Sequence, residues 1–237
     1  MMNTKQEVAA DFDQLKIRYI ITGKLKCVTQ LHIGTGKAET SFGVDSPFIT
    51  VLIGDKESPY IPGSTIKGIF RSEVEKILRT QDLKAACLLD KKECSCIACQ
   101  IFGSMKFGSH VLFVDSYPIG EVQKKIKPGV AINRITGAAQ PRALYSFETI
   151  QPGALFNFQM VIENIDLRGN DDLKANALKS VLRRLVEGDF SIGGKRSSGL
   201  GVIRLVESQI LEITMKNIFD PNLNAQKKDL EPFLRES

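Results

Sequence analysis

Two periodicities run along the chain. From Arg18 to Ile33 apolar positions alternate with polar ones (Tyr19, Ile21, Gly23, Leu25, Cys27), the two-residue period of a strand with one face on a core. Alternation returns from Ala154 to Asn164, where Phe156, Phe158, Met160 and Ile162 point one way. Residues 110–118 form a nearly continuous apolar run, which predicts a strand covered on both faces and so central in a sheet. Phe48–Ile53 and 201–206 read as shorter strands, and 207–216 adds one more.

The second period is helical. In 64–79 Ile66, Ile69, Phe70, Val74, Ile77 and Leu78 recur at three- and four-residue spacing, with Ser64 placed as an N-cap after Pro62-Gly63. In 171–187 Leu173, Ala177, Leu178, Val181, Leu182, Leu185 and Val186 form a second stripe, capped by Asn170 or Asp171 and stopped by Gly188. The order is β-α-β-β-α-β, which predicts an α+β, ferredoxin-like (RRM-like) core. Residues 1–237 read as one domain, its long connections at 34–46, 82–108 and 120–150 treated as decorations. The first 17 residues read as a loose arm or short helix, and the last ones as a flexible polar tail.

Composition narrows the class. The chain has 237 residues, a net charge of +5 and pI near 8.9, which permits a nucleic-acid partner without requiring one. No apolar run approaches a membrane span, and the N-terminal residues carry no apolar leader core, so a cytoplasmic protein is expected. In such a compartment five cysteines argue against disulfides.

Four of those cysteines, Cys87, Cys94, Cys96 and Cys99, lie at C-x6-C-x-C-x2-C spacing. Four soft thiolates suit a structural zinc ion that stiffens an insertion lacking its own core; iron–sulfur ligation and free thiols are the alternatives. His110 is a spare ligand if Cys87 stands aside. Cys27 reads as a small core residue, and His32 as a hydrogen-bonded structural residue.

Several cations sit where anions are welcome. Lys67 and Arg71 flank the start of the first helix, whose free N–H groups favour negative charge, although a plain surface helix would carry them too. Lys195 and Arg196 lie in S-I-G-G-K-R-S-S-G-L-G, a glycine-rich loop whose backbone can approach an anion. The loop lacks the P-loop pattern and a dinucleotide-fold context. Lys124, Lys125, Lys127, Arg134 and Arg142 stud an extended excursion over 120–150, either a solvated hairpin or a nucleic-acid contact. Asp45 ends a glycine-bearing loop and would bond its own backbone in a turn, or serve chemistry.

An ordered set of motifs resembles the RAMP superfamily, and within it the backbone subunit of type III CRISPR effector complexes. The set is L-H-I-G at 31–34, V-D-S-P at 44–47, I-P-G-S-T-I-K-G-I-F-R at 61–71, I-F-G at 101–103, I-N-R-I-T-G-A-A at 132–139 and G-G-K-R-S-S-G-L-G at 193–201. The cysteine insertion is similar to the zinc-bearing versions of that subunit. The resemblance implies a chain that self-associates into a filament along CRISPR RNA, with other complex subunits, and a β-hairpin thumb at about 120–150 that intrudes between guide and target. It implies Asp45 as the residue for cutting target RNA with Mg2+ or Mn2+, guide-phosphate contacts at Lys67 and Arg71, and a weaker link of His32 to activity. No second carboxylate at a set spacing marks a two-metal site, so a scaffold that only holds guide RNA is the competing expectation. A zinc-stapled regulator is disfavoured by the lack of a groove-reading helix, and a guide-processing nuclease by the presence of only two histidines. The aromatic pattern of ordinary RNA-recognition domains is absent, so bases would be held by other means.

Overall fold

The computed structural model describes residues 13–36, 44–87, 94–169 and 172–236. In chain order the elements are β1 (Ile17–Cys27), β2 (Thr50–Ile53), β3 (Lys56–Pro59), α1 (Gly63–Gln81), α2 (Ile97–Phe102), β4 (Val111–Phe113), β5 (Lys124–Ile132), β6 (Ala139–Ile150) and β7 (Leu155–Glu163). They continue with α3 (Leu173–Glu187), β8 (Phe190–Ser191), β9 (Val202–Thr214), β10 (Lys228–Asp229) and α4 (Leu230–Glu236).

The main sheet is antiparallel and runs β10-β9-β1-β7-β4, with β8 also pairing β9. Without the two short strands the order β9-β1-β7-β4, crossed by α1 and α3, is the ferredoxin-like arrangement. The alternation read from sequence sets the faces. Tyr19 lies opposite Ile162, Ile21 opposite Met160 and Leu25 opposite Phe156, and all six are fully buried under the helices. Phe70 of α1 and Leu178, Val181, Leu182 and Leu185 of α3 supply the other half of that core. Cys27 joins it, and burial pushes its thiol up to about 12.

Several expectations are corrected. The apolar run at 110–118 does not make a central strand: only Val111–Phe113 is strand, and it forms the sheet's edge. Its hydrophobicity serves α1 instead, since the Phe113 ring lies 4.8 Å from that of Phe70 while Leu112 is 56% exposed. Gly63 makes this approach possible, because a Cβ there would lie 2.5 Å from the Phe113 carbonyl oxygen. Ser64 does not cap α1; the helix begins at Gly63, whose N–H donates to Asp115 Oδ1 at 2.7 Å. Helix α3 is capped by Asp172, which accepts from Lys174 N, and Gly188 ends it in the left-handed region. Asn170 and Asp171, expected as caps, lie outside the described residues, as does the N-terminal arm to residue 12. The strands expected at 201–206 and 207–216 are one, β9, with a bulge opposite Thr22–Lys24 where Glu207 takes a φ of 50°.

Two small sheets stand apart: the β2–β3 hairpin, and the long β5–β6 hairpin that occupies the basic excursion. Among the described residues, the cysteine-bearing segment shares the main core rather than forming one of its own. It lends Ala85, Ala86, Ala98, Ile101 and Phe102 to the main one.

Candidate RNA-contact surface and metal centre

The cysteines converge. The Sγ atoms of Cys87, Cys94, Cys96 and Cys99 all lie within 4.8 Å of one another. Cys99 rides on α2, Cys96 precedes it, and Cys87 lies beyond the end of α1; residues 88–93 between them lie outside the described residues. Backbone N–H groups already face sulfur: Cys87 N donates to Cys96 Sγ at 3.4 Å and Cys96 N to Cys94 Sγ at 3.5 Å. Burial raises the Cys96 thiol, but N–H groups at Cys99 and Cys87 and the neighbouring thiols outweigh it and bring it to about 7. An all-sulfur set with N–H donors fits a soft tetrahedral ion. His110 is not needed as a ligand, because Cys87 Sγ already completes the four-sulfur set.

The first helix presents its two cations to this segment. Lys67 Nζ donates to Ser109 Oγ at 3.0 Å, and burial, helped by neighbouring Arg71, holds its ammonium below the usual lysine range. Arg71 is committed on three sides: Nε to Glu75 at 2.9 Å, Nη1 to the Gly103 carbonyl at 3.3 Å and Nη2 to Cys99 Sγ at 3.4 Å. The helix start holds an anion of its own in the Asp115 carboxylate.

Asp45 sits at the base of the β5–β6 hairpin. It is exposed, and its Oδ2 accepts from Ser146 N at 2.6 Å and Ser146 Oγ at 3.2 Å; Oδ1 has no hydrogen-bond partner among the described residues. This is not the self-bonded turn that Asp-Ser-Pro allows, because Ser146 belongs to β6. The segment runs beside β6 like a short strand: Ser46 N donates to the Ser146 carbonyl, Glu148 N to the Ser46 carbonyl, and Phe48 N to Glu148 Oε2 at 2.9 Å. The preceding loop residues 37–43 lie outside the described residues.

His32 braces the same place from below. Its Nδ1 lies 2.6 Å from the Glu148 carbonyl oxygen, which can only accept, so Nδ1 carries the proton and Nε2 accepts from Ser46 Oγ at 3.3 Å. The ring packs edge-on against Phe147 at 5.2 Å, and burial pulls its pKa below 6.5. Gly193 closes over the His32 carbonyl with φ near 80°, where a Cβ would lie 2.2 Å from that oxygen. Lys195, also left-handed at φ 56°, sets its ammonium 4.1 Å from the Tyr145 ring centre and 4.7 Å from that of Phe147, donating to the Tyr145 hydroxyl at 3.0 Å.

The five cations expected to touch RNA therefore occupy three places. Lys67 and Arg71 lie on the first helix beside the cysteine segment, Lys195 and Arg196 on the glycine-rich loop, where Lys195 meets the hairpin base and Arg196 reaches the Ser191 carbonyl, and Arg134 is exposed in the hairpin's terminal turn.

A family model described as the RAMP superfamily matches residues 24–204. The chain belongs to the RAMP superfamily. Among its relatives, the CRISPR system Cms endoribonuclease Csm3 of Methanothermobacter thermautotrophicus is 30% identical over 224 residues, covering 82% of this chain and 86% of the relative. The protein of the same name from Enterococcus italicus is 31% identical over 214 residues (82% and 92% covered), and that from Streptococcus thermophilus 28% over 206 residues (79% and 86%).

Within this RAMP chain the structure adds residues that sequence reasoning missed. Ser146, Phe147 and Glu148 meet Asp45 and His32 from more than 100 positions away, and Asp115 takes the helix N–H from 52 away. Glu75 and Arg79 were within reach, since with Arg71 they recur every four residues along α1, the spacing of one helix face.

Proposed function

We propose that this RAMP chain is the CRISPR RNA-binding backbone subunit of a type III effector complex and that it cuts target RNA at Asp45. The β5–β6 hairpin is then the thumb between guide and target, the cysteine segment a zinc-bearing insertion, and 1–237 one decorated domain that repeats along the guide with the other subunits. The supporting observation is the placing of Asp45: an exposed carboxylate at the hairpin's base, held through Oδ2 by Ser146, with Oδ1 without a partner among the described residues.

A hard divalent ion such as Mg2+ or Mn2+, once bound, supplies positive charge to the transferring phosphate. The protein's part is positional. Ser146 fixes the Asp45 carboxylate by two hydrogen bonds, and Ser46, tied to both His32 and β6, fixes the backbone beside it. A thumb that distorts the target backbone there brings a 2′-oxygen in line with its own phosphorus. The 2′-hydroxyl gives up its proton as its oxygen bonds to that phosphorus, the bond to the 5′-oxygen breaks, and the leaving 5′-oxygen takes up a proton, giving a cyclic phosphate end and a 5′-hydroxyl. Exposed Arg134 in the hairpin's turn, the Lys195 ammonium at its base and exposed Arg196 next to Lys195 in the glycine-rich loop are cations that RNA phosphates would meet.

The same hydrogen bonds favour a second reading, in which Asp45 merely ties its loop to the hairpin of a non-catalytic scaffold. Reconstituted complexes with Asp45→Ala and Asp45→Asn separate the two. Catalysis predicts that both slow target cleavage by at least ~10²-fold, about 2.7 kcal/mol of barrier, with target affinity nearly unchanged. In the scaffold reading Asp45→Asn, which keeps an acceptor for Ser146, cuts at the wild-type rate.

A further inference from the structure

We propose that Arg71 and Arg79, paired through Glu75, are positioning residues for metal at the four-cysteine site; this rests on reading that site as a zinc centre. The three side chains occupy one stripe of α1. Glu75 accepts from Arg71 Nε at 2.9 Å through Oε1 and from Arg79 Nη2 at 3.0 Å through Oε2, so one carboxylate orients two guanidinium groups. Each then reaches the cysteine segment at a ligand residue. Arg71 Nη2 donates to Cys99 Sγ at 3.4 Å, and Arg79 Nη2 donates to the Cys87 carbonyl at 2.5 Å.

Charge leads to the same pairing. The side chains of Arg71, Glu75 and Arg79 are 30%, 17% and 23% exposed, so all three are substantially withdrawn from water. Two cations share one carboxylate, and Arg79 Nε is buried without a hydrogen-bond partner among the described residues. A buried guanidinium needs further negative charge nearby. Four thiolates around one divalent ion carry two excess negative charges, so the cluster offers what the arginines lack, and the arginines what the cluster lacks. A planar fork donating to sulfur also orients the thiolate, the role outer-shell groups play at metal sites generally. Arg71 is thereby engaged with the insertion rather than free to wrap a phosphate.

The test uses the full chain and zinc alone, in competition with a chromogenic chelator. Arg71→Gln should weaken zinc retention by about 10- to 100-fold, as loss of an outer-shell partner does. Arg71→Lys should recover part of it by keeping the charge without the fork, and Arg79→Gln should lose less than Arg71→Gln because it contacts a carbonyl. In cobalt-substituted protein the sulfur-to-cobalt charge-transfer band should shift for Arg71→Gln, a signature that general loosening does not produce. Zinc retention equal to wild type with an unshifted band overturns the proposal, also where RNA affinity falls, for Arg71 is then an RNA contact only. If Arg71→Gln does not fold, Glu75→Gln decides: weakened zinc binding in a protein of wild-type circular dichroism supports the pairing, and undiminished binding overturns it. Neither readout involves RNA cleavage, so the outcome is independent of Asp45.

Discussion

At the cysteine segment the ligand atoms come from residues 87 to 99, and the Cys87–Cys99 contact closes a loop only 12 positions long. At the hairpin base Asp45 meets Ser146 across 101 positions and His32 meets Glu148 across 116. By the logarithmic dependence of loop closure on length, the longer closure costs about 2 kcal/mol more chain entropy. It is met by bonds that exist only once β6 lies against the body. The short closure instead brings together groups that repel when ionised and become favourable with a cation among them. One region therefore answers first to metal, the other to packing and protonation.

The largest expected effect tests that division. Chelation of native protein, or Cys96→Ser, should take bound zinc from about one per chain to near none. Amide exchange in 94–108 should rise sharply while β1, β7 and β9 stay protected, because the paired positions of those strands include none of the four cysteines. An equal loss of protection across the sheet would break the comparison. It would mean that Ala85, Ala86, Ala98, Ile101 and Phe102, which the segment lends to the shared core, depend on the metal too.

The same contrast explains what the sequence made legible. Four cysteines close in the chain carry their chemistry in their spacing, and the period-two pattern around Tyr19, Ile21 and Leu25 states which face is inside. The 110–118 run misled because buried apolar residues report burial, not by what: α1 covers this edge strand where a second strand was expected. Asp115 as the true partner of the helix start, and Ser146 and Glu148 as those of Asp45 and His32, are contacts between distant segments. No local spacing records them. Arg71 was visible as a cation on a helix, but its direction toward Cys99 depends on where α2 packs.

A smaller effect is expected where Lys195 meets the hairpin. Tyr145 lies across Gly129 of β5, so close that a Cβ there would meet the ring at 2.3 Å, and it carries the Lys195 ammonium on its face and hydroxyl. Tyr145→Ala removes both supports. Amide exchange within β5–β6 should quicken by about tenfold, roughly 1.4 kcal/mol of local stability, and zinc content should not change. Lys195→Gly should show a milder loss, because it forfeits the cation–ring contact but relieves a left-handed backbone that only glycine adopts without strain. Loss of zinc on Tyr145→Ala would show the two regions to be coupled.

The mildest expectation concerns acid. Burial, with Lys195 nearby, holds the His32 imidazole below its ordinary value of 6.5, against the raising influence of its bond to the Glu148 carbonyl and of the Glu148 charge. The unfolded chain takes up this proton as pH falls through 6.5 while the folded one resists it. His32 therefore favours the folded state fully above 6.5 and progressively less below, toward its lower folded value. Protonation also places a donor on Nε2, where Ser46 now donates, so Ser46 must turn and accept instead. Thermal midpoints measured at stepped pH should fall below 6.5 in the wild type and fall less steeply in His32→Gln, which cannot take up the proton. Identical slopes in the two proteins would assign the acid sensitivity elsewhere, and the hairpin base would then rest on packing alone.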